Sequence, residues 1–172
     1  MALRTIVLEG DSVLHKHCRP VTNFDERLHQ LIDDMRETLI GSDGVGLAAP
    51  QVGILRRVVL VLETNVPEGE DPYIIELINP EIVESSGSQN GPEGCLSVPG
   101  RFGLVERPMD VTVRAQDRNG NSFEVKGHEL TARAFCHELD HLEGKMFTQC
   151  ASRMLTDEEL ESGSWNDEVE NA

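Results

Sequence analysis

The 172-residue chain is long enough for one domain with its own hydrophobic core and short for two. A formal net charge of −16 argues against a protein that grips nucleic acid through clustered Lys and Arg, and without a run of about 18 apolar residues no membrane span is expected. The four cysteines include no CxxC pair, and the N-terminal segment lacks the apolar core of a signal peptide, so free thiols in a cytoplasmic protein are expected.

In chain order, Asp11 or Ser12 can cap a short helix over residues 11–17. Asn23 suits the N-cap of the first long helix, with Asp25 and Glu26 in its first turn. Leu28, Leu31, Ile32, Met35 and Leu39 recur at helical spacing until Gly41. Residues 42–53, SDGVGLAAPQVG, read as a loop. Arg57–Leu62 and Tyr73–Asn79 read as strands, with residues 81–84 extending the sheet. The Ser/Gly-rich residues 85–94 read as a second loop, leading into CLSVPG. Asp110–Gln116 alternates apolar and polar residues, and Asn119-Gly120 turns it back into Ser122–Lys126. A second long helix is predicted from about Leu130 to Glu143, with Gly144 at its C-terminal cap. Thr156 and Glu159 form a capping box for a last short helix. Strands and helices without βαβ alternation predict an α+β fold rather than a parallel sheet. One domain is expected over residues 1–160, followed by an acidic, disordered tail over 161–172.

The chemistry starts at His137-Glu138-Leu139-Asp140-His141. Positions i and i+4 share one helix face, so the two imidazoles can converge on one metal ion. Glu138, one step round the helix, can take a proton from water on that metal without being a ligand. A catalytic site needs a third protein ligand, and Cys95 in Glu93-Gly94-Cys95-Leu96-Ser97 is the best candidate. Cys136 points off the ligand face by about 100° and reads as a packing residue. Gly44-Val45-Gly46-Leu47-Ala48-Ala49-Pro50-Gln51 allows close backbone approach. By itself it reads as a packed Gly/Ala turn as readily as a site for an oxyanion-binding Gln amide.

Taken together, GVGLAAPQ, EGCLS and HELDH, in this order and spacing, resemble the three signature segments of peptide deformylases. The resemblance runs from Asn23 to about Phe147 and implies a metal-dependent hydrolase of that fold, with short antiparallel sheets around a central metal-binding helix. Such enzymes remove the formyl group from the N-terminal formyl-methionine of newly synthesised proteins and release formate. It implies Cys95, His137 and His141 as ligands of one divalent metal, Fe2+ first, with Zn2+, Ni2+ or Co2+ able to replace it. It implies Glu138 as the acid/base, and Gln51 with the Leu96 N–H as donors to the formyl oxygen. The substrate backbone is expected to pair with Gly46 near Gly94, and the methionine side chain to enter a pocket of Val45, Leu130, Ala134, His137 and Glu93. The implied partners are N-formylmethionyl nascent peptides met by a monomer in transient ribosome proximity, with no stable nucleic acid or membrane partner. An Arg107–Asp140 ion pair is also expected. Two positions depart from common members: Cys136 stands where many have Gln, and Phe102 where some have Arg. The acidic tail also differs from the basic C-terminal extension that some members carry.

Two rival readings are a zinc endopeptidase, which also uses HExxH, and a non-catalytic module that binds N-terminal peptides. The first usually takes a third His or Glu downstream of the motif; here no His follows His141, and Glu143, two residues on, lies on the wrong helical face. The complete set of Gln51, Cys95, Glu138 and both histidines argues against the second.

Overall fold

A computed structural model describes residues 2–170. Helix α1 (Glu26–Ile40) is capped by Asp25, whose side chain accepts from Leu28 N–H. The cap thus falls two residues beyond the expected Asn23, because Asp25 is the residue whose carboxylate reaches the open N–H groups of the first turn. Asp11 caps a 3-10 turn at Ser12–His15, as the sequence suggests.

Strands β1 (Gly46–Ala48), β2 (Val58–Glu63), β3 (Tyr73–Ser86), β6 (Asp110–Gln116) and β7 (Ser122–His128) form one antiparallel sheet in the order β1-β2-β3-β6-β7. Strands β4 (Gln89–Cys95), β5 (Val98–Arg107) and β8 (Arg153–Leu155) form a second, in the order β4-β5-β8. Helix α2 (Leu130–Leu142) is followed by α3 (Phe147–Cys150), α4 (Asp157–Ser162) and α5 (Trp165–Glu170). The architecture is α+β.

Along β2, Val58 and Leu60 pack with α1 while Val59 and Val61 pack with α2. The larger sheet is therefore covered on both faces, which is why β2 reads as an unbroken apolar run. Leu14, Val98, Val105, Met146 and Phe147 form a third cluster beneath the smaller sheet. Gly144 ends α2 with φ 76°, and its backbone packs so closely on His15 that a Cβ would lie 2.6 Å from the His15 carbonyl. Thr156 and Glu159 make the capping box of α4.

The segment 42–53 carries β1 and a 3-10 turn at Ala49–Val52, where a plain loop was expected. The expected loop 85–94 is mostly β4. Its glycines face bulky neighbours: a Cβ on Gly94 would sit 2.5 Å from the Phe102 ring across the β4–β5 pair. The apolar mass that marks a strand is carried by the partner strand, so β4 has no period of its own. Strand β3 also runs on past Pro80, because its pairing with β6 shifts register between Ile78 and Glu81. Asn79 holds the bend at φ 51°, its side chain bonded to both backbone groups of Val21. Of the expected disordered tail, residues 171–172 lie outside the described residues, while α4 ends and α5 forms within 161–170. Trp165 supplies the reason, its ring lying beside Gly91 of β4. Among the described residues, no helix is long and apolar enough to cross a membrane.

Candidate active site

Helix α2 has the local sequence of a buried helix, with nearly every side chain from Thr131 to Leu142 out of solvent. Buried His137 and His141 project from one face, one turn apart, with their Nε2 atoms 3.2 Å from each other. Cys95, at the end of β4, brings its Sγ 3.4 Å from His141 Nε2. The three ligand atoms all lie within 4.8 Å of one another. Donors on one tetrahedral ion with ordinary metal–ligand lengths stand roughly 3.3–3.8 Å apart, so this set fits a single divalent metal.

The two histidines are shifted in opposite directions. Burial opposes a charge on His137, but Glu138, Cys95 and Glu93 outweigh it and raise its pKa well above the usual value. His141 moves the other way, lowered by burial and then by His137. Glu138 is 3% exposed, and its Oε1 is buried without a hydrogen-bond partner, 3.9 Å from His141 Nε2. Burial pushes its carboxyl up to about 7, the range in which a group exchanges protons readily at neutral pH.

Glu93 organises the ring behind the ligands. His137 Nδ1 lies 2.8 Å from Glu93 Oε2, which also accepts from Arg107 Nη2 at 2.7 Å. Its Oε1 accepts from Arg107 Nε and Arg133 Nη1, both at 3.0 Å. Arg107 continues to Asp140 Oδ2 at 2.8 Å. Burial would raise the Glu93 carboxyl, but the bonds from His137 and Arg107 prevail and bring it down to about 2. Two guanidinium groups and two carboxylates thus close a neutral network around one histidine. A ligand histidine oriented in this way has its tautomer and ring plane fixed.

A cavity of about 490 Å³ opens in front. Val45, Gly46, Gln51, Glu93, Gly94, Cys95, Leu96, Leu130, Ala134, His137 and Glu138 all line it, while His141 stands behind with no exposure. Leu130 is at the mouth and 46% exposed. Glu93 was expected as a wall of the methionine pocket. It does reach the cavity, but its carboxylate is taken up by Arg107, Arg133 and His137, since a buried carboxylate needs partners. Gly46 has no room for a side chain, because a Cβ there would lie 2.5 Å from Glu138 Oε2. Strands β1 and β4 are both sheet edges, and both border the cavity. The Gln51 side chain comes from the 3-10 turn after β1; its Nε2 lies 3.4 Å from Cys95 Sγ.

Sequence reasoning missed Arg133 and Ser97. Arg133 is four residues before His137, so the same helical spacing that paired the histidines places it above them. Ser97 carried no signal beyond its nearness to Cys95.

The sequence profile of the polypeptide deformylase family matches residues 3–156. The peptide deformylase of Caldanaerobacter subterraneus subsp. tengcongensis is 53% identical over 161 residues, 94% of this chain and 97% of that protein. A crystal structure of a peptide deformylase from Legionella pneumophila shares 43% identity with a TM-score of 0.79, covering 88% of this chain and 87% of that one. A Met-Ala-Ser-bound crystal structure of class I type b peptide deformylase from Acinetobacter baumannii shares 35% identity with a TM-score of 0.79, covering 87% of this chain and 98% of that one. Agreement of sequence, fold and metal-ready site over nearly the whole chain leaves one conclusion: it belongs to the polypeptide deformylase family, the hydrolases that remove the formyl group from the N-terminus of newly made proteins.

Proposed function

We propose that Cys95, His137 and His141 hold the metal and that Glu138 is the general base and acid of deformylation. The observation that carries this reading is the unpartnered Glu138 Oε1, buried 3.9 Å from the Nε2 of His141, one of the three converging ligand residues. A bound divalent ion supplies Lewis-acid polarisation and lowers the pKa of water. Glu138 takes the proton of the attacking water and delivers it to the leaving amine. Gln51 Nε2 and the Leu96 N–H donate to the formyl oxygen as it gains charge.

The substrate binds as an extended strand between the β1 and β4 edges, pairing with Gly46 and lying beside Gly94. Its methionine side chain enters the apolar space of Val45, Leu130 and Ala134, against the His137 ring. That the A. baumannii relative binds Met-Ala-Ser supports a peptide with methionine first as the occupant. Glu138 packs so closely on the Gly46 backbone that a Cβ there would lie 2.5 Å from its Oε2, and this crowding disfavours an acyl group bulkier than formyl.

Fe2+ is the metal we assign, with Zn2+, Ni2+ or Co2+ able to occupy the same donors. A thiolate beside Fe2+ makes the site oxygen-sensitive, since both can oxidise. The partners are N-formylmethionyl nascent chains, met by a cytoplasmic monomer in transient proximity to the ribosome. The test is hydrolysis of formyl-Met-Ala-Ser beside acetyl-Met-Ala-Ser, with Glu138→Ala as the variant. Formate release from the first peptide alone, lost in Glu138→Ala with metal retained, is expected. Full activity in Glu138→Ala overturns the assignment of the base. Metal per chain after anaerobic purification identifies the ion.

A further inference from the structure

Gln51 is held at both ends of its carboxamide. Its Oε1 accepts from Ala48 N–H at 2.9 Å. A backbone N–H can only donate, so this bond decides which way the amide faces and turns Nε2 toward the cavity. Nε2 carries two hydrogens. One is donated to Ser97 Oγ at 3.2 Å and the other to Cys95 Sγ, which lines the cleft, at 3.4 Å. Ser97 is completely buried, so its hydroxyl has no solvent alternative.

The two residues belong to different sheets, Gln51 following β1 and Ser97 lying in the turn between β4 and β5. A strap near the N-terminus ties them together. Val7 N–H donates to Gln51 O at 2.7 Å, and Glu9 N–H donates to Ser97 O at 2.8 Å. Alternate residues of an extended chain present their N–H groups to one side, roughly 7 Å apart. The strap therefore fixes the separation of the two backbones that Gln51 and Ser97 must bridge.

We propose that Ser97 is a positioning residue whose hydroxyl fixes the Gln51 carboxamide as an oxyanion donor, with the Val7–Glu9 strap setting the distance between them. The proposal rests on the reading of Gln51 given above, so Gln51→Ala is measured first, on formyl-Met-Ala-Ser. An unchanged kcat there overturns that reading and this proposal with it. Given a lowered kcat, Ser97→Ala is expected to lose roughly tenfold or more in kcat, with KM and metal per chain nearly unchanged. Ser97→Thr, which keeps the hydroxyl, is expected to recover part of the loss. In the double variant the losses should not multiply, because Ser97 acts only through Gln51. Losses that multiply, or an unchanged kcat in Ser97→Ala, overturn the positioning role.

Should Ser97→Ala fail to fold, the strap gives an independent test. Asp11 N–H donates to Leu8 O at 3.2 Å, and Gly10 has φ 104°, so Leu8–Asp11 is a turn that accepts proline at its second position. Glu9→Pro then removes the N–H that holds Ser97 while keeping the turn. It is compared with Glu9→Ala, which loses only the ion pair to Arg101. A severalfold lower kcat in Glu9→Pro, at equal metal content, is expected. Equal kcat in the two variants overturns the role of the strap.

Discussion

Replacing Glu93 with Gln keeps the shape of the side chain and removes its charge. The carboxylate accepts four bonds, two on each oxygen, from Arg107, Arg133 and His137. A Gln retains one oxygen and so serves two of those donors, while its NH2 faces the other two as a donor against donors. The network also passes from neutral to one net positive charge, with Arg107, Arg133 and Asp140 remaining. Breaking a buried ion pair from one side costs about 3–5 kcal/mol. For a domain of this size each kcal/mol moves Tm by about 2–4 °C, so a fall of roughly 6–20 °C is expected. If the amide turns its NH2 toward His137, the ring loses the acceptor that orients it, and metal affinity should fall by about 10–100-fold. Thermal unfolding, metal retained against a graded chelator, and kcat/KM on formyl-Met-Ala-Ser measure the three effects. Asp140→Asn is the comparison, since Asp140 meets Arg107 through one bond from a partly exposed site and should cost much less. A Glu93→Gln protein with wild-type Tm and wild-type metal retention would refute the argument that this carboxylate holds the ring behind the ligands.

Three further outcomes follow from the geometry. Gly46→Ala places a Cβ 2.5 Å from Glu138 Oε2 and 2.8 Å from its Cγ, so β1 or Glu138 must move. A displacement near 1 Å at a reacting group costs about 100-fold in rate, and kcat on the formyl peptide should fall accordingly with metal content preserved. Removing the metal with a chelator should lower Tm by roughly 8–16 °C if it was present at about 1,000 times its Kd, a stabilisation of about 4 kcal/mol. Cys95→Ala should have lost most of that response, and an undiminished Tm shift in the variant would place the third ligand elsewhere. Asp34 accepts from Ala2 N–H, Arg4 Nε and Gln30 Nε2; although burial opposes it, these bonds depress its pKa. A depressed carboxyl stabilises the fold fully above its unfolded pKa, about 4, and loses that contribution as pH falls through the lower folded value. Asp34→Asn should therefore narrow the stability gap to wild type as pH drops below about 4, followed by urea unfolding across pH. A gap of constant size would show that Asp34 contributes through shape alone.

Local patterns determined a good part of this protein. The two long helices, the Asn119-Gly120 hairpin and the Thr156 capping box follow from periodicity and turn chemistry that act over a few residues. The i, i+4 spacing of His137 and His141 needs nothing beyond the helix that carries it. Strand β4 was illegible for the opposite reason. Its glycines are filled by side chains such as Phe102 from the neighbouring strand, so its own sequence shows no alternation. The Asn23 cap was misplaced because several polar residues at 23–26 are chemically able to cap, and only backbone geometry selects Asp25. The deepest part of the site was decided by tertiary structure alone. Cys95 meets His141 across 46 positions of sequence, and Glu93 meets Arg133 across 40. Periodicity carries no record of which carboxylate faces which guanidinium. That choice depends on how β4 registers on β5 and how α2 packs across both sheets, and there burial forces each charge to find its partner.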